Sequence, residues 1–348
     1  MGQPGFFDLG ERYIALSKQG DPLELLNNSI PWSSFRPVLK RTQNKERKTS
    51  AGRKPYDAIL MFKILVLQSL YNLSDEQTEY QIRDRLSFMR FLGLGLEDGV
   101  PDATTIWLFR EMLIKHCLIE PLFEQFSRYL DGHGYQARKG QIIDATIVPV
   151  PKQRNTREEN AAIKAGQVPA EWDKQPNKLR QKDIDARWTK KHGQNHYGYK
   201  NHINIDNKHK LIRNFDVTAA TVHDNQVLDE LVDPTNTSAA IWADSAYRSE
   251  ATEQTLEDNG YRSQIHHKGK RNKPLSEHKQ AVNRRRSKVR VRVEHVFGFQ
   301  HNSMGGKFIR TIGILRARAR IGLMNLGYNL KRYGWLEQRR HRMSASCA

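Results

Sequence analysis

The chain has 348 residues, with 57 Lys and Arg against 38 Asp and Glu, for a formal net charge of +19. That length allows two domains of ordinary size, or one with a helical extension, and a 38% hydrophobic share allows a sizeable core. No apolar stretch approaches the ~18 residues of a membrane helix, and Asp8 and Glu11 stand where a secretory signal would be apolar, so a membrane partner is excluded.

Cys117 and Cys347 form neither a CxxC pair nor a disulfide framework, which fits a reducing cytoplasm. Cys117, in an apolar helical segment, reads as a small core residue. The charge is uneven: from Tyr261 onward there are 22 Lys and Arg against three acids, so the excess sits in the last quarter. A short basic cluster is usually a solvated face, but an excess this large on a chain with aromatics and apolar periodicity points to nucleic acid.

Residues 1 to about 50 carry few signals, and Lys40 to Lys54 is a basic connector. Tyr56 to Leu73 is apolar on more than one face, which predicts a buried helix. Ser74 to Gln77 is a capping box opening a second helix to about Leu86. Pro101-Asp102 precedes a helix from Ala103 to about His116, and another follows Glu120-Pro121. The region to about residue 135 is therefore all helical, and it has room for a helix-turn-helix.

After Gly140 the period changes. Gln141 to Val150 is a short β-branched strand with one acid, Asp144, among apolar residues. Pro151 to Gln194 is a polar insertion with helical pieces around Glu158 to Ala165. Tyr197 to Ile205 and Leu211 to Thr218 alternate around Asn207-Lys208, as a hairpin does. Val222 to Val232 has helical spacing, and Ala239 to Ala243 is a buried strand ending at Asp244. Thr252 to Asn259 is a helix, and Tyr261 to His267 a fifth strand.

This order predicts an α/β fold, a ribonuclease H-like mixed five-stranded sheet flanked by helices, over residues 136–348, preceded by the all-helical domain 1–135. The segment around Glu294 carries two patterns. Val289 to Val293 alternates like a strand, but from Ser276 no Gly or Pro intervenes until Gly298, too long a run for a strand. The expectation is a helix with Arg290, Glu294 and His301 on one face. A basic, apolar-striped helical region from Ile309 to Tyr333 carries Arg310, Arg316, Arg318 and Arg320.

Opening a phosphodiester needs an activated water or hydroxyl and stabilisation of a departing alkoxide, which two Mg²⁺ ions can supply. Mg²⁺ takes hard oxygen ligands and keeps several waters, so a few carboxylates from different elements suffice. Asp144 mid-strand, Asp244 at a strand end and Glu294 in a basic helix make such a set. Any one of them alone reads equally as a turn or ion-pair acid; all three, in that order on those elements, do not.

The segments QIIDATIVPVP, IWADSAYRS and RVRVEHVFGFQ resemble the two aspartate motifs and the glutamate helix of DDE-type insertion-sequence transposases, in the group that includes insertion sequence five. DARWTKK with HYGYKNHI, TAATVHDNQVL, and GRKPYDAILMFKILVLQSLYNLSDEQ are similar to further blocks of that family, so the resemblance runs from about Gly52 to Leu330. It implies that Asp144, Asp244 and Glu294 bind catalytic Mg²⁺, with Mn²⁺ as a substitute. It also implies cleavage at terminal inverted repeats and joining of the freed 3′ hydroxyls to target DNA. The implied partner is double-stranded DNA, transposon ends and target, bound as a homodimer in the DNA complex, in a nucleoid-associated cytoplasmic protein. Relatives surround the glutamate with a tyrosine, an arginine and a lysine. Here Arg290 is kept, Ser287 replaces the tyrosine, and His301 stands at the lysine position with Lys307 nearby. The implied DNA contacts are thus Arg290, His301 and Lys307, joined by Arg316, Arg318 and Arg320 of the basic helix.

His223 and Asp224 are metal-adjacent or DNA-facing candidates, or else Thr221 or Asp224 caps a helix. Asp185 with Arg187 reads as a structural ion pair. No zinc pattern and no phosphate-loop motif occurs, so neither zinc nor a nucleotide is expected. The same acids would serve a two-metal nuclease that does not join strands. A silent DNA-binding descendant would more readily have lost one of the three.

Overall fold

The computed structural model describes residues 8–43, 54–191, 193–269 and 274–345. The first residues of the chain, most of the basic connector and Cys347 lie outside them. The chain divides into two compact units, Met1–Arg128 with Leu326–Ala348, and Tyr129–Asn325.

The first unit is helical. It opens with α1 (Asp8–Lys18), α2 (Pro22–Ser29) and α3 (Arg36–Leu39). These are followed by α4 (Ala58–Tyr71), α5 (Asp75–Asp84), α6 (Leu86–Leu92), α7 (Ala103–Lys115) and α8 (Ile119–Gly132). Helix α4 is buried nearly all round, as its unbroken apolar sequence requires, and starts where Asp57 accepts from Ile59 N at 2.7 Å. The Ser74–Gln77 capping box is formed on both sides. Trp32, Phe35, Phe62 and Phe91 build the aromatic centre of the unit. Arg90 on α6 ties it to α1 and α2 through Ser17 and Asp21. Cys117 is not a core residue: it is exposed, at φ +50° in the turn after α7.

The second unit holds the sheet. Strand β1 (Gln141–Pro149) is followed by α9 (Arg157–Lys164), α10 (Ala170–Asp173) and α11 (Pro176–Arg180). Then come β2 (Arg187–Lys191), β3 (Gln194–Asp206), β4 (Ile212–Ala219) and α12 (Leu228–Leu231). The unit continues with β5 (Ala240–Trp242), α13 (Glu250–Asp258), β6 (Arg262–Ser263) and α14 (Glu277–Ser303). The last helix, α15 (Ile314–Ala345), gives residues to both units.

The sheet runs β4-β3-β1-β5-β6, with β1 antiparallel to β3 and parallel to β5. That is the expected ribonuclease H-like order. A sixth strand, β2, pairs with the free start of β3 and belongs to the segment read as a polar insertion. The fifth strand is only two residues long, shorter than its sequence suggested.

Beneath one face, Ile143, Leu228, Leu231, Ile241, Ala243, Leu256 and Ile265 form a buried cluster. Over the other lies α14, whose Val293, Val296, Phe297 and Gln300 are buried at helical spacing. Val291 of the alternating run is 51% exposed, so the strand-like pattern is coincidental. Gly140 lets β1 begin against β5: its φ is +85°, and a Cβ there would lie 2.6 Å from Ala240 O.

Candidate active site

Side chains alternate along β1, so Asp144 and Thr146 share the face covered by α14, while Ile143 turns into the opposite core. Asp144 is only 7% exposed. Its Oδ1 accepts from Ala145 N at 2.9 Å, and its Oδ2 accepts from Arg290 Nη1 at 2.5 Å. Burial pushes its carboxyl up to about 7; the Arg290 cation and the Ala145 N–H oppose this, and the charges of Asp244 and Glu294 add to it. Because charge repulsion weakens with distance, the effect of both acids on Asp144 makes the three carboxylates one electrostatic group.

The register relates the two aspartates. Gln141 and Ile142 pair with Ile241 and Trp242, so Asp144 and Asp244 each stand two residues past the last paired position. Adjacent strands lie about 4.8 Å apart. Asp244 lies two residues beyond β5 and caps the turn that follows, its Oδ1 accepting from Ala246 N at 2.7 Å. Glu294 is exposed on α14, one helical turn after Arg290. Asp144 and Arg290 are thus in direct contact, and the charges of Asp244 and Glu294 reach Asp144.

His301 reaches the same face of β1, with Nε2 3.4 Å from Thr146 Oγ1. Burial and then the Lys307 charge lower its imidazole below the usual range. Arg318 is not directed to the carboxylates: it is paired with Asp216 on β4, two strands away from β1. Arg316 is exposed and Arg320 half-buried on the same helix.

His223 is exposed, and neither Thr221 nor Asp224 caps a helix there. Asp224 is instead ion-paired with Lys200 Nζ at 2.8 Å, and it lies 4.0 Å from Nδ1 of the buried His202, whose imidazole burial lowers to about 4. The expected Asp185–Arg187 pair does not form. Asp185 accepts from Ile314 N at the start of α15, and Arg187 donates to the carbonyls of Ile184 and Ile163.

Sequence reading missed Tyr247. It is fully buried, its hydroxyl has no hydrogen-bond partner among the described residues, and burial, then Asp144, Asp224 and Asp244, push its phenol far up. Its place three residues after Asp244 in ADSAYRS was the available signal.

Among the described residues, no three His, Cys, Asp or Glu side chains close on one point at metal-ligand spacing. The Arg290 guanidinium neutralises Asp144 in this arrangement. The donor set still suits a hard divalent cation: three carboxylates on three elements, with the buried one driven toward protonation by its surroundings and by its neighbours' charge.

A family model described as "Transposase DDE domain" matches residues 135–330. A second, described as "Transposase domain (DUF772)", matches residues 11–112. Among solved structures, the chain is similar to a piggyBac transposase synaptic complex with hairpin DNA, at 13% identity and a TM-score of 0.45, over 90% of this chain and 74% of that one.

Proposed function

The chain belongs to the DDE transposases, and we propose that it binds the terminal inverted repeats of an insertion sequence of the insertion-sequence-five group, cleaves at their ends and joins the 3′ hydroxyls to target DNA. The observation that supports this reading is that Asp144 and Asp244 each follow the paired stretch of β1 and β5 by two residues, with Asp144 bonded to Arg290 of the helix that also bears Glu294.

Asp144, Asp244 and Glu294 would hold divalent cations, Mg²⁺ or Mn²⁺ in its stead. When bound, such ions activate the attacking water or hydroxyl and stabilise the departing alkoxide. The chain's own residues do the rest. The Ala145 N–H fixes one oxygen of Asp144, and Arg290 holds the other. The Ala246 N–H orients Asp244 at the mouth of β5. Glu294 is exposed and so accessible to a strand lying along α14. His301 and Lys307 extend that line with groups suited to a phosphate, followed by the cations of α15.

The helices of residues 1–135 are assigned to end recognition, and a homodimer to the DNA complex, as a nucleoid-associated protein would form. Among the described residues no helix is long and apolar enough to cross a membrane. The test is incubation of the purified chain with end-bearing DNA and Mg²⁺, with cleavage mapped at single nucleotides, then strand transfer from a pre-cleaved end. Cleavage without transfer would make it a nuclease, and binding without cleavage a silent descendant.

A further inference from the structure

A second site lies away from the carboxylates, where β1 leaves the sheet. Val150 N still bonds Tyr197 O, and Ile309 N bonds Pro149 O, so the segments after β1 and before α15 are held side by side. Between them and the end of α11 is a cavity of about 370 Å³. Lys152, Gln153, Lys182, Asp183, Arg310 and Thr311 line it.

Its wall has an imbalance. Gln153 Oε1 and Thr311 Oγ1 are buried without any hydrogen-bond partner among the described residues. Native interiors rarely leave such atoms unmade, and each asks for an explanation. Among the described residues Lys182 Nζ reaches only neutral acceptors, Arg154 O at 2.8 Å and Asn155 Oδ1 at 2.7 Å. Lys152 Nζ lies over the Trp188 ring, 5.6 Å from its centre. Neither lysine nor Arg310 has a carboxylate partner among the described residues. Asp183 does not supply one, because its oxygens accept from Asp185 N, Ala186 N and the Tyr199 hydroxyl.

Three cations without a carboxylate partner, together with the buried Asp183 carboxylate, therefore surround a hydroxyl and an amide. A turn of the Gln153 amide about its last bond exchanges Oε1 for the donating Nε2. Every open group on the wall then donates, which suits an anion with several oxygens. A solvated cationic face would need neither the recess nor the two buried, unpartnered groups.

We propose that this cavity binds a phosphoryl group of a DNA strand, held by Lys152, Lys182 and Arg310 with hydrogen bonds from Thr311 and Gln153. The ligand class rests on the reading of the chain as a DNA-processing enzyme. Val150, the residue just after β1, is six residues beyond Asp144, about 20 Å at the rise of extended chain. The group bound is therefore several nucleotides from the reacting phosphate, and its role is to hold the strand.

The test uses the full chain without divalent metal. The probes are inorganic phosphate, a trinucleotide with a 5′ phosphate, and the same trinucleotide with a 5′ hydroxyl. The informative variant is Gln153→Leu with Thr311→Val, which keeps every charge. Removing unpartnered buried polar atoms leaves stability unchanged or higher, so its melting temperature should not fall. Its affinity should drop about tenfold or more for the probes that occupy the site, as loss of hydrogen bonds to a charged group implies. A drop for both trinucleotides identifies backbone diesters as the source, and a drop for the phosphorylated one alone identifies a terminal phosphate. Equal affinities of wild type and variant for all three probes would overturn the proposal. A variant that melts early is replaced by Lys152→Gln with Arg310→Gln, judged by the same affinities. Because no probe is cleaved, the outcome is independent of the transposition assay. A chain that cuts DNA but shows no phosphate site sinks this inference alone, and the reverse result sinks the transposase reading alone.

Discussion

Asp144 and Asp244, a hundred residues apart in the chain, each stand two residues past the last position at which the parallel strands β1 and β5 pair. One short hydrogen-bonded register therefore aligns the strands that lead to both acids, and Gly140, pressed against Ala240, starts it. A site that depends on strand alignment tolerates loss of charge without loss of shape. Asp144→Asn, Asp244→Asn and Glu294→Gln are each predicted to reduce cleavage on the order of a thousandfold, the rate equivalent of several kcal/mol of metal-borne charge stabilisation. DNA affinity should stay near wild type, since phosphates meet cations elsewhere. Single-turnover cleavage and filter binding read the two separately. Near-normal cleavage by Asp244→Asn would remove that residue from the site.

The surroundings of Asp144 make stability depend on pH and on divalent cations together. Its carboxyl binds a proton more tightly in the fold, at about 7, than at the ordinary 3.8, chiefly through burial. The stability this contributes is complete below pH 4 and is lost as pH rises through 7, on the order of 4 kcal/mol across that window. A cation bound by the carboxylates restores it at high pH, where protons no longer compete. Millimolar Mg²⁺ is predicted to raise the melting temperature at pH 8 and to do little at pH 5. Asp144→Asn should abolish the difference. An equal rise at both pH values, or in the variant, would detach the cation from this site.

How legible the site was differs from residue to residue. The two strands and their acids could be read because buried parallel strands are short apolar runs, and a lone acid in one stands out. The helix at Glu294 required setting aside the alternation of Val289, Val291 and Val293; length decided it, and the burial of Val293, Val296 and Phe297 explains why. Strand β2 was hidden because RWTKK is polar and exposed on most positions, so it has no apolar face to betray it. Cys117 was misjudged because its neighbours Leu118 and Ile119 are buried while it occupies the left-handed turn between them and α7. Ion pairs such as Lys200–Asp224 and Arg318–Asp216 depend on which elements meet, which spacing along one chain does not tell.

Arg318 and Arg316 illustrate the cost of reading cations by position alone. Arg318 bonds Asp216, a largely buried carboxylate on β4, with its own side chain 40% exposed. Arg318→Gln would leave that carboxylate short of a partner, and with the exposure discounted the loss should be about 1–2 kcal/mol. Thermal melts and a double-mutant cycle with Asp216→Asn measure it, and additive effects would show that the pair does not couple. Arg316→Gln is predicted to lower the salt dependence of DNA binding by about one counterion. A flat response there would mean that DNA does not follow α15.

Arg290 is the residue on which the geometry of α14 and the chemistry of β1 meet. Its Nη1 donates to Asp144 Oδ2, its Nε is buried without a partner among the described residues, and Glu294 follows one turn later. The guanidinium is a planar fork, with donors left to meet a phosphate while one grips the carboxylate; an ammonium offers a point charge and cannot hold both directions at once. Arg290→Lys is therefore predicted to lower the single-turnover cleavage rate about ten- to a hundredfold at saturating Mg²⁺, the equivalent of about 1.4–2.7 kcal/mol. Overall DNA affinity should hardly move, because the charge is kept. Were Arg290 only a counterion for buried Asp144, Lys would neutralise it as well and the two rates would agree. Equal rates would leave Arg290 a structural partner of Asp144 and move the search for the phosphate contact to His301 and Lys307.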